Sequence, residues 1–84
     1  MLEIKLDKQP EKFLRTCNKS FFDRITEKLK ELKENLVPHD AKRVIGYRGL
    51  TFRLRFGKYR ILYRVNYSDK IIIVVKIDHR ERVY

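Results

Sequence analysis

The sequence predicts an α+β fold in which a two-helix hairpin packs on one face of a small, largely antiparallel twisted sheet, in the order β-α-α-β-β-β. The main observation is a change of hydrophobic period. Before Pro38 the apolar residues recur at helical spacing, and after it they alternate with polar residues as in strands. The length of 84 residues allows a single domain, residues 1–84, with one modest core.

The first half of the chain predicts a short strand followed by two helices. Residues 1–6 alternate apolar and charged side chains, which is typical of a strand with one buried face. Asp7 can cap a first helix that ends near Asn18, and Ser20 can cap a second, longer helix that Pro38 stops. The second helix carries apolar residues at steps of three and four, which predicts a face packed on the sheet: Phe22, Ile25, Leu29, Leu32 and Leu36.

The second half predicts three strands, at residues 50–56, 59–67 and 71–77, with Gly57-Lys58 as the first turn. Because successive side chains of a strand point to opposite faces, the arginines of the first two strands should share the face away from the helices. These are Arg53, Arg55, Arg60 and Arg64. The same alternation predicts a core position for Tyr59, Tyr63 and Tyr67. If the chain end returns beside the last strand, three more residues reach the rim of that face: Arg80, Arg82 and Tyr84.

The positive charge is concentrated in the second half of the chain. The formal net charge is +10, of which residues 1–41 contribute +1 and residues 42–84 contribute +9. A surface of this kind attracts polyanions over a distance and gains affinity when counterions are released on contact. The pattern therefore indicates a nucleic acid or an acidic protein as the partner.

The composition also excludes several functional classes. The longest apolar run covers residues 71–75, which is too short to cross a membrane. Cys17 is the only cysteine, so no internal disulfide can form, and we expect a reducing, cytoplasmic location. Two histidines, one cysteine and scattered carboxylates make no metal-ligand cluster, and we expect neither a metal nor another cofactor.

Two segments of the second half carry a family resemblance. Residues 47–63 read YRGLTFRLRFGKYRILY, and residues 79–84 read HRERVY. Together with the strand–helix–helix beginning, they resemble the RelE/ParE toxin superfamily over essentially the whole chain. The resemblance implies a RelE-like fold and a toxin of a type II toxin–antitoxin system. It further implies a ribosome-dependent endoribonuclease, an mRNA interferase, that cuts messenger RNA in the A site without a metal ion and inhibits translation.

The resemblance also implies a site and a partner. RelE-like toxins use basic side chains on two central strands, with an arginine and a tyrosine near the C-terminus. Those positions correspond to Arg53, Arg55, Arg60, Arg80 and Tyr84. We expect Arg64 and Arg82 to add RNA-binding charge. An acidic, RelB-like antitoxin is expected to wrap the toxin in a hetero-oligomer, with one of its helices near the helical hairpin.

Metal-free RNA cleavage requires charge stabilisation and proton transfer. When the 2′-hydroxyl attacks the adjacent phosphate, the transition state carries extra negative charge, which paired guanidinium donors stabilise well. One proton must leave the 2′-hydroxyl and another must reach the 5′-oxygen, and arginine is a poor base. The residues that we consider for proton transfer are Tyr84, His79 and Lys58.

Two other functions stay open at this level. A ParE-like member would bind DNA gyrase and inhibit it without a catalytic site, but we would then expect the basic and tyrosine terminus to be lost. An inactive module could instead pair with an antitoxin and regulate its own operator. A gyrase supercoiling assay separates the first function from a nuclease, and unaffected translation with intact antitoxin binding favours the second.

Overall fold

The computed structural model of the chain describes residues 3–35, Pro38 and residues 41–79, with the backbone alone for His79. Within them lie two helices and a five-stranded sheet, which confirms the predicted α+β class. The elements are β1 (Glu3–Leu6), α1 (Lys8–Thr16), α2 (Lys19–Glu34), β2 (Lys42–Arg43), β3 (Leu50–Phe56), β4 (Tyr59–Asn66) and β5 (Ile71–His79).

The sheet is mixed, and its strands lie in the order β1-β5-β4-β3-β2. β1 pairs in parallel with β5, whereas the other three pairs are antiparallel. The sequence does not predict β2, because two residues are too few to show an alternating pattern. β5 contains a bulge at Val75, since Val74 is opposite Tyr63 and Lys76 is opposite Leu62.

The helices are joined by a link of only two residues. The Oδ1 atom of Asn18 accepts a hydrogen bond of 2.8 Å from the backbone N–H of Phe21, so Asn18 is the N-cap of α2. The expectation that Ser20 caps this helix is wrong. Because the link is so short, α2 begins earlier and Ser20 lies within its first turn. Asp7 is the N-cap residue of α1, as expected, although its side chain makes no capping hydrogen bond.

The core lies between α2 and the sheet. Three residues of the predicted apolar face of α2 are buried there, namely Ile25, Leu29 and Leu32. The strands contribute the rest of the buried cluster: Leu54, Ile61, Tyr63, Val65, Ile72, Val74 and Ile77. The apolar face of α2 and the apolar faces of the strands therefore form one core, as the sequence predicts.

Phe22 does not belong to this core, since it is 43% exposed. Phe21 takes the inward position instead. The centroid of its ring lies 4.7 Å from that of Tyr59 and 5.4 Å from that of Phe56. Successive residues of a helix point about 100° apart, so only one of the two phenylalanines can face these rings. Leu36, the last residue of the predicted apolar face, lies outside the described residues.

Two of the three tyrosines expected in the core contribute to it. Tyr63 is fully buried and stacks on Phe52, with 5.7 Å between the ring centroids. Tyr59 is half-buried against the aromatic rings of the helices. Tyr67 is 56% exposed, so the expected core position is wrong for this residue. β4 ends at Asn66, and the alternation of faces does not continue into the turn.

A side chain of α1 completes the edge of β5 beyond the end of β1. β1 runs beside β5 only as far as Val74. Further along, the Nε2 group of Gln9 donates to the carbonyl of Ile77 at 2.6 Å, and its Oε1 accepts from the backbone N–H of Ile77 at 2.9 Å. The side-chain amide thus replaces the peptide group of a neighbouring strand and satisfies the exposed backbone of β5.

Candidate nucleic-acid interface

Four arginines lie on the sheet face that points away from the helices. Residues directly opposite each other in antiparallel strands point to the same face. The pairs of β3 and β4 on this face are Arg55–Arg60, Arg53–Leu62 and Thr51–Arg64. The alternate pair Leu54–Ile61 is buried under α2. The structure therefore brings together Arg53, Arg55, Arg60 and Arg64, and we call this surface the arginine face.

The arginines differ in exposure. Arg55 is exposed, the other three are half-buried, and the Nε atom of Arg60 is buried. Leu62 is fully buried although it lies on this face, so the face has an apolar centre among the guanidinium groups. Half-buried arginines commonly cover apolar surface with their stems while the charged groups stay in water. Asp78 is directly opposite Arg60 on β5, which adds a carboxylate beside the Arg55–Arg60 pair.

Three lysines that the sequence does not assign to the site lie on the same face: Lys5, Lys42 and Lys76. Lys42 belongs to β2, which the sequence does not predict, and it is opposite Arg53. Lys76 follows the bulge of β5, which reverses the alternation of faces in that strand. Among the described residues, the arginine face carries seven basic side chains and two acidic ones, Glu3 and Asp78.

One end of the arginine face is formed by the β3–β4 turn and the end of β5. Phe56 and Tyr59 close the turn, and Lys58 is exposed at its tip. His79 is opposite Tyr59 in register, so the backbone of β5 ends beside this turn. The predicted site residues Arg80, Arg82 and Tyr84, together with the side chain of His79, lie outside the described residues.

The residues that could form a metal site are dispersed. In the part of the chain that the structure describes, no three His, Cys, Asp or Glu side chains lie close enough together to hold a metal ion. Cys17 is half-buried in the link between the helices, with its Sγ atom 3.5 Å from the carbonyl oxygen of Leu14. No helix within the same described ranges is long and apolar enough to span a membrane.

A groove of about 460 Å³ lies on the helix side of the sheet, between α1, α2 and β1. Its apolar lining consists of Ile4, Leu6, Leu14, Phe22 and Leu29. Cations at its rim include Lys30 and Lys33 of α2, and Arg15 of α1, which is paired with Glu11. Phe22, which is missing from the core, thus lines an open apolar surface with a largely basic rim. We call this surface the hairpin groove.

The sequence and the fold both have known relatives. Residues 4–84 match the model of a family described as the ParE toxin of the type II toxin–antitoxin system parDE. RelE1 of Methanocaldococcus jannaschii, which is named as a candidate toxin, is 34% identical over 84 residues. This alignment covers 96% of the present chain and 92% of the relative.

Several solved structures of similar fold come from toxin–antitoxin complexes. A chain of the archaeal RelE–RelB complex from Pyrococcus horikoshii OT3 superimposes with a TM-score of 0.83 at 31% identity, over 98% of both chains. A chain of the intact RelBE toxin–antitoxin complex from E. coli superimposes with a TM-score of 0.77, over 98% of this chain and 100% of that one. Because this E. coli chain is only 22% identical to the present one, the comparison with it shows a shared fold alone.

Proposed function

The chain belongs to the RelE/ParE family of toxins from type II toxin–antitoxin systems, and from this membership we propose that it is a ribosome-dependent endoribonuclease. It cuts messenger RNA in the ribosomal A site and thereby inhibits translation in the cytoplasm. The observation that carries the proposal is the arginine face. Arg55 and Arg60 are directly opposite each other at the end of the face where β5 leads into the chain end, and Arg53 lies two residues away along β3.

The arginines stabilise the charge that develops during cleavage. The 2′-oxygen attacks phosphorus, and the bond to the 5′-oxygen breaks, which leaves a 2′,3′-cyclic phosphate and a free 5′-hydroxyl. The transition state carries more negative charge on the phosphoryl oxygens than the substrate does. A prepositioned donor aimed at such charge is typically worth ~3–4 kcal/mol. Guanidinium groups suit this role because they stay protonated and present paired donors. Arg53, Arg55, Arg60 and Arg80 take this role.

Proton transfer needs residues other than arginine. Tyr84 orients the substrate or moves a proton, and His79 and Lys58 are the further groups able to do so. Lys58 is exposed in the turn next to the Arg55–Arg60 pair, which supports its inclusion. Arg64 and Arg82 contribute positive charge that binds the RNA backbone.

The decisive experiment is primer extension on a reporter message in a translating extract. The wild-type protein is compared with its Arg80→Ala and Tyr84→Phe variants. We expect cuts only when ribosomes are engaged, and weaker cuts with both variants. Arg15→Ala is the matched control, because Arg15 is an exposed arginine on the helix side. Cleavage that persists in Arg80→Ala and Tyr84→Phe would refute the site, and cleavage of free message would refute the ribosome dependence.

Inhibition of DNA gyrase is the second candidate function, because the matching family is described as ParE. A ParE-like toxin of this fold acts by binding gyrase and needs no catalytic arginines. In a supercoiling assay we expect no inhibition by the purified protein. Inhibition of supercoiling, with translation unaffected, would replace the nuclease proposal by this one.

The partner in the cell is an acidic, RelB-like antitoxin in a hetero-oligomeric complex. Solved structures of this fold include RelE–RelB complexes, and the toxin-like chain of one of them is 31% identical to this chain. The strong positive charge of the chain favours an acidic partner. The hairpin groove supports the expected contact of an antitoxin helix near the hairpin. Its apolar lining includes the exposed ring of Phe22, and two lysines line it as well, which suits an amphipathic acidic helix.

This contact is tested by titration calorimetry with the cognate antitoxin. Phe22→Ala removes an exposed ring from the groove, and we expect weaker binding. Tyr67→Ala is the matched control, since Tyr67 is also a large exposed ring but lies in the β4–β5 turn. Equal affinity of the wild-type protein and Phe22→Ala would place the antitoxin helix elsewhere.

A further inference from the structure

Two loops meet at the end of the sheet opposite the β3–β4 turn. Leu50, the first residue of β3, is paired with Val65 near the end of β4. The β2–β3 loop (residues 44–49) and the β4–β5 turn (residues 67–70) therefore lie at the same end, which we call the loop end. The structure exposes four large hydrophobic residues in the described ranges, and three of them belong to this end: Ile45 (90% exposed), Tyr47 (41%) and Tyr67 (56%).

The loop end is basic as well as aromatic. Three exposed basic residues lie within four positions of Tyr47 or Tyr67 in the sequence: Arg43, Arg48 and Lys70. Arg64 of β4 lies next to Gly49 of the β2–β3 loop. Asp69 is the acidic residue of the two loops, and its Oδ2 atom accepts a 3.0 Å hydrogen bond from Asn66. Aromatic rings among unbalanced positive charges are suited to a ligand that has both flat apolar surfaces and negative charge.

Both loops have a defined conformation. In the β2–β3 loop, the hydroxyl of Thr51 donates to the carbonyl of Arg48 at 2.9 Å, and the N–H of Val44 donates to the carbonyl of Thr51 at 2.9 Å. In the β4–β5 turn, the N–H of Asp69 donates to the Oδ1 atom of Asn66 at 3.1 Å. A loop whose backbone is already fixed loses less conformational freedom when a ligand binds.

The loop end is continuous with the arginine face. The side chains of Thr51 and of Arg64, which is opposite Thr51 on β4, both point to that face. The hydroxyl of Thr51 also donates to the carbonyl of Arg48 in the β2–β3 loop. The side chain of Arg64 runs along Gly49, because a Cβ atom on Gly49 would lie 3.1 Å from its Cδ atom. Arg64 lies four residue steps from Arg60 along β4, a distance of about 13 Å. An RNA strand bound at the Arg55–Arg60 pair can therefore extend to the loop end.

We infer that Tyr47 and Tyr67 form a stacking platform for unpaired RNA bases, with Arg48 and Arg64 binding the adjacent phosphates. Every base has a flat face that stacks on an aromatic ring, and the basic groups beside the rings follow the backbone. The inference rests on the proposed function for the identity of the ligand as RNA. It adds a base-binding site at the end of the face that is remote from the scissile phosphate.

The test measures affinity, so it is independent of cleavage. Fluorescence anisotropy compares a single-stranded RNA with an abasic strand of the same length and charge. For the RNA with bases we expect Tyr47→Ala and Tyr67→Ala each to weaken binding roughly tenfold, because stacking on one ring contributes on this order. For the abasic strand the same variants should change the affinity less than about twofold, since no base is left to stack. Tyr47→Phe and Tyr67→Phe keep the rings and should bind like the wild-type protein.

The matched control is Phe22→Ala, which removes an exposed ring from the helix side and should leave RNA affinity unchanged. Thermal unfolding of each variant verifies that the fold is intact. Equal losses for the RNA and the abasic strand would overturn the platform, as would unchanged affinity in both alanine variants. If the protein binds RNA in this way but does not cut it, the nuclease proposal fails and the platform remains.

The bases could belong to messenger or to ribosomal RNA, and ribosome binding separates the two. A weaker affinity of Tyr47→Ala and Tyr67→Ala for vacant ribosomes identifies ribosomal RNA as the source of the stacked bases. If the two variants lose affinity only for ribosomes that carry message, the stacked bases belong to messenger RNA. Unchanged affinity for both kinds of ribosome would overturn the inference.

Discussion

Arginine is the residue type on which the proposed chemistry depends, and its position in the fold decides what each copy can do. Arg55 and Arg60 are cross-strand neighbours of like charge, with Asp78 beside Arg60 on β5. Their side chains lie on the same face of the sheet, where one phosphate can accept hydrogen bonds from both. Arg60 is half-buried with its Nε atom covered, whereas Arg55 is exposed. Arg55 can therefore be changed with little effect on packing.

We predict that Arg55→Ala lowers the rate of ribosome-dependent cleavage about 100- to 1,000-fold, the size expected when one donor to a transition-state charge is lost. Arg55→Lys keeps the charge but not the paired donors, and its rate should lie between the two. Single-turnover cleavage on programmed ribosomes measures these rates, and Arg15→Ala serves as the control. A rate for Arg55→Ala within a factor of about two of wild type would remove Arg55 from the catalytic site.

Gly49 occupies a position where only glycine fits without strain. Its φ angle is +67°, and an added Cβ atom would lie 3.1 Å from the Cδ atom of Arg64. We predict that Gly49→Ala costs about 1–2 kcal/mol in the free energy of unfolding. It should also weaken RNA binding, because Arg64 has to move.

Gly46→Ala is the matched control, since Gly46 has a φ angle of +101° but nothing within 4 Å of an added Cβ atom. It should destabilise the protein without a specific loss of RNA affinity. Chemical denaturation and anisotropy measure the two effects. Gly49→Ala is also combined with Arg64→Ala. If it weakens RNA binding as much in the Arg64→Ala protein as in the wild-type protein, displacement of Arg64 is not the cause.

At the scale of elements, the position of the proposed site depends on the hydrogen bonds between α1 and β5. β1 covers the edge of β5 only to Val74, and Gln9 of α1 supplies the next pairing through Ile77. Asp78, which follows Ile77, is the neighbour of Arg60. The amide of Gln9 therefore supports the part of β5 that flanks the Arg55–Arg60 pair.

We predict that Gln9→Ala destabilises the protein by about 1–3 kcal/mol, because the N–H and carbonyl of Ile77 lose their partner. The backbone N–H of Ile77 should exchange faster with solvent. Gln9→Glu keeps an acceptor for this N–H but loses the donor to the carbonyl, so a smaller effect is expected. Hydrogen exchange followed by NMR measures both, and unchanged protection of Ile77 in Gln9→Ala would contradict the bridging role.

At the scale of the whole molecule, the two sides of the sheet differ in charge. The helix side combines an apolar groove with mixed charges, whereas the arginine face carries seven basic and two acidic residues among those described. This asymmetry orients a polyanion toward one face before any specific contact forms. It also makes binding sensitive to salt, because each phosphate contact releases counterions.

We predict that the affinity for single-stranded RNA falls steeply with salt. In a plot of log affinity against log salt concentration, Arg64→Ala should reduce the slope by about 0.7, the contribution of one phosphate contact on a single strand. Arg15→Ala removes the same charge from the helix side and should leave the slope nearly unchanged. Equal changes for the two variants would show that net charge, rather than the arginine face, governs binding.

Local patterns were sufficient for most of the fold. The period of apolar residues predicts both helices and four of the five strands, β1, β3, β4 and β5, with errors of one or two residues at the ends of β4 and β5. The errors lie at the ends of elements and at β2. Asn18 rather than Ser20 caps α2 because the link to α1 is short, and Tyr67 is exposed because β4 ends one residue earlier. β2 exists only through its pairing with β3.

By itself, the sequence determined the fold class, the family resemblance and the grouping of the four strand arginines, since each follows from a local pattern or a motif. Only the tertiary structure decided which further residues join them. The bulge at Val75 turns Lys76 toward the arginine face, and the pairing of β2 brings Lys42 to it. It also brought the loops that carry Tyr47 and Tyr67 to the same end of the sheet through the Leu50–Val65 pairing. Register and strand order are set by contacts between distant parts of the chain, and no local periodicity encodes them.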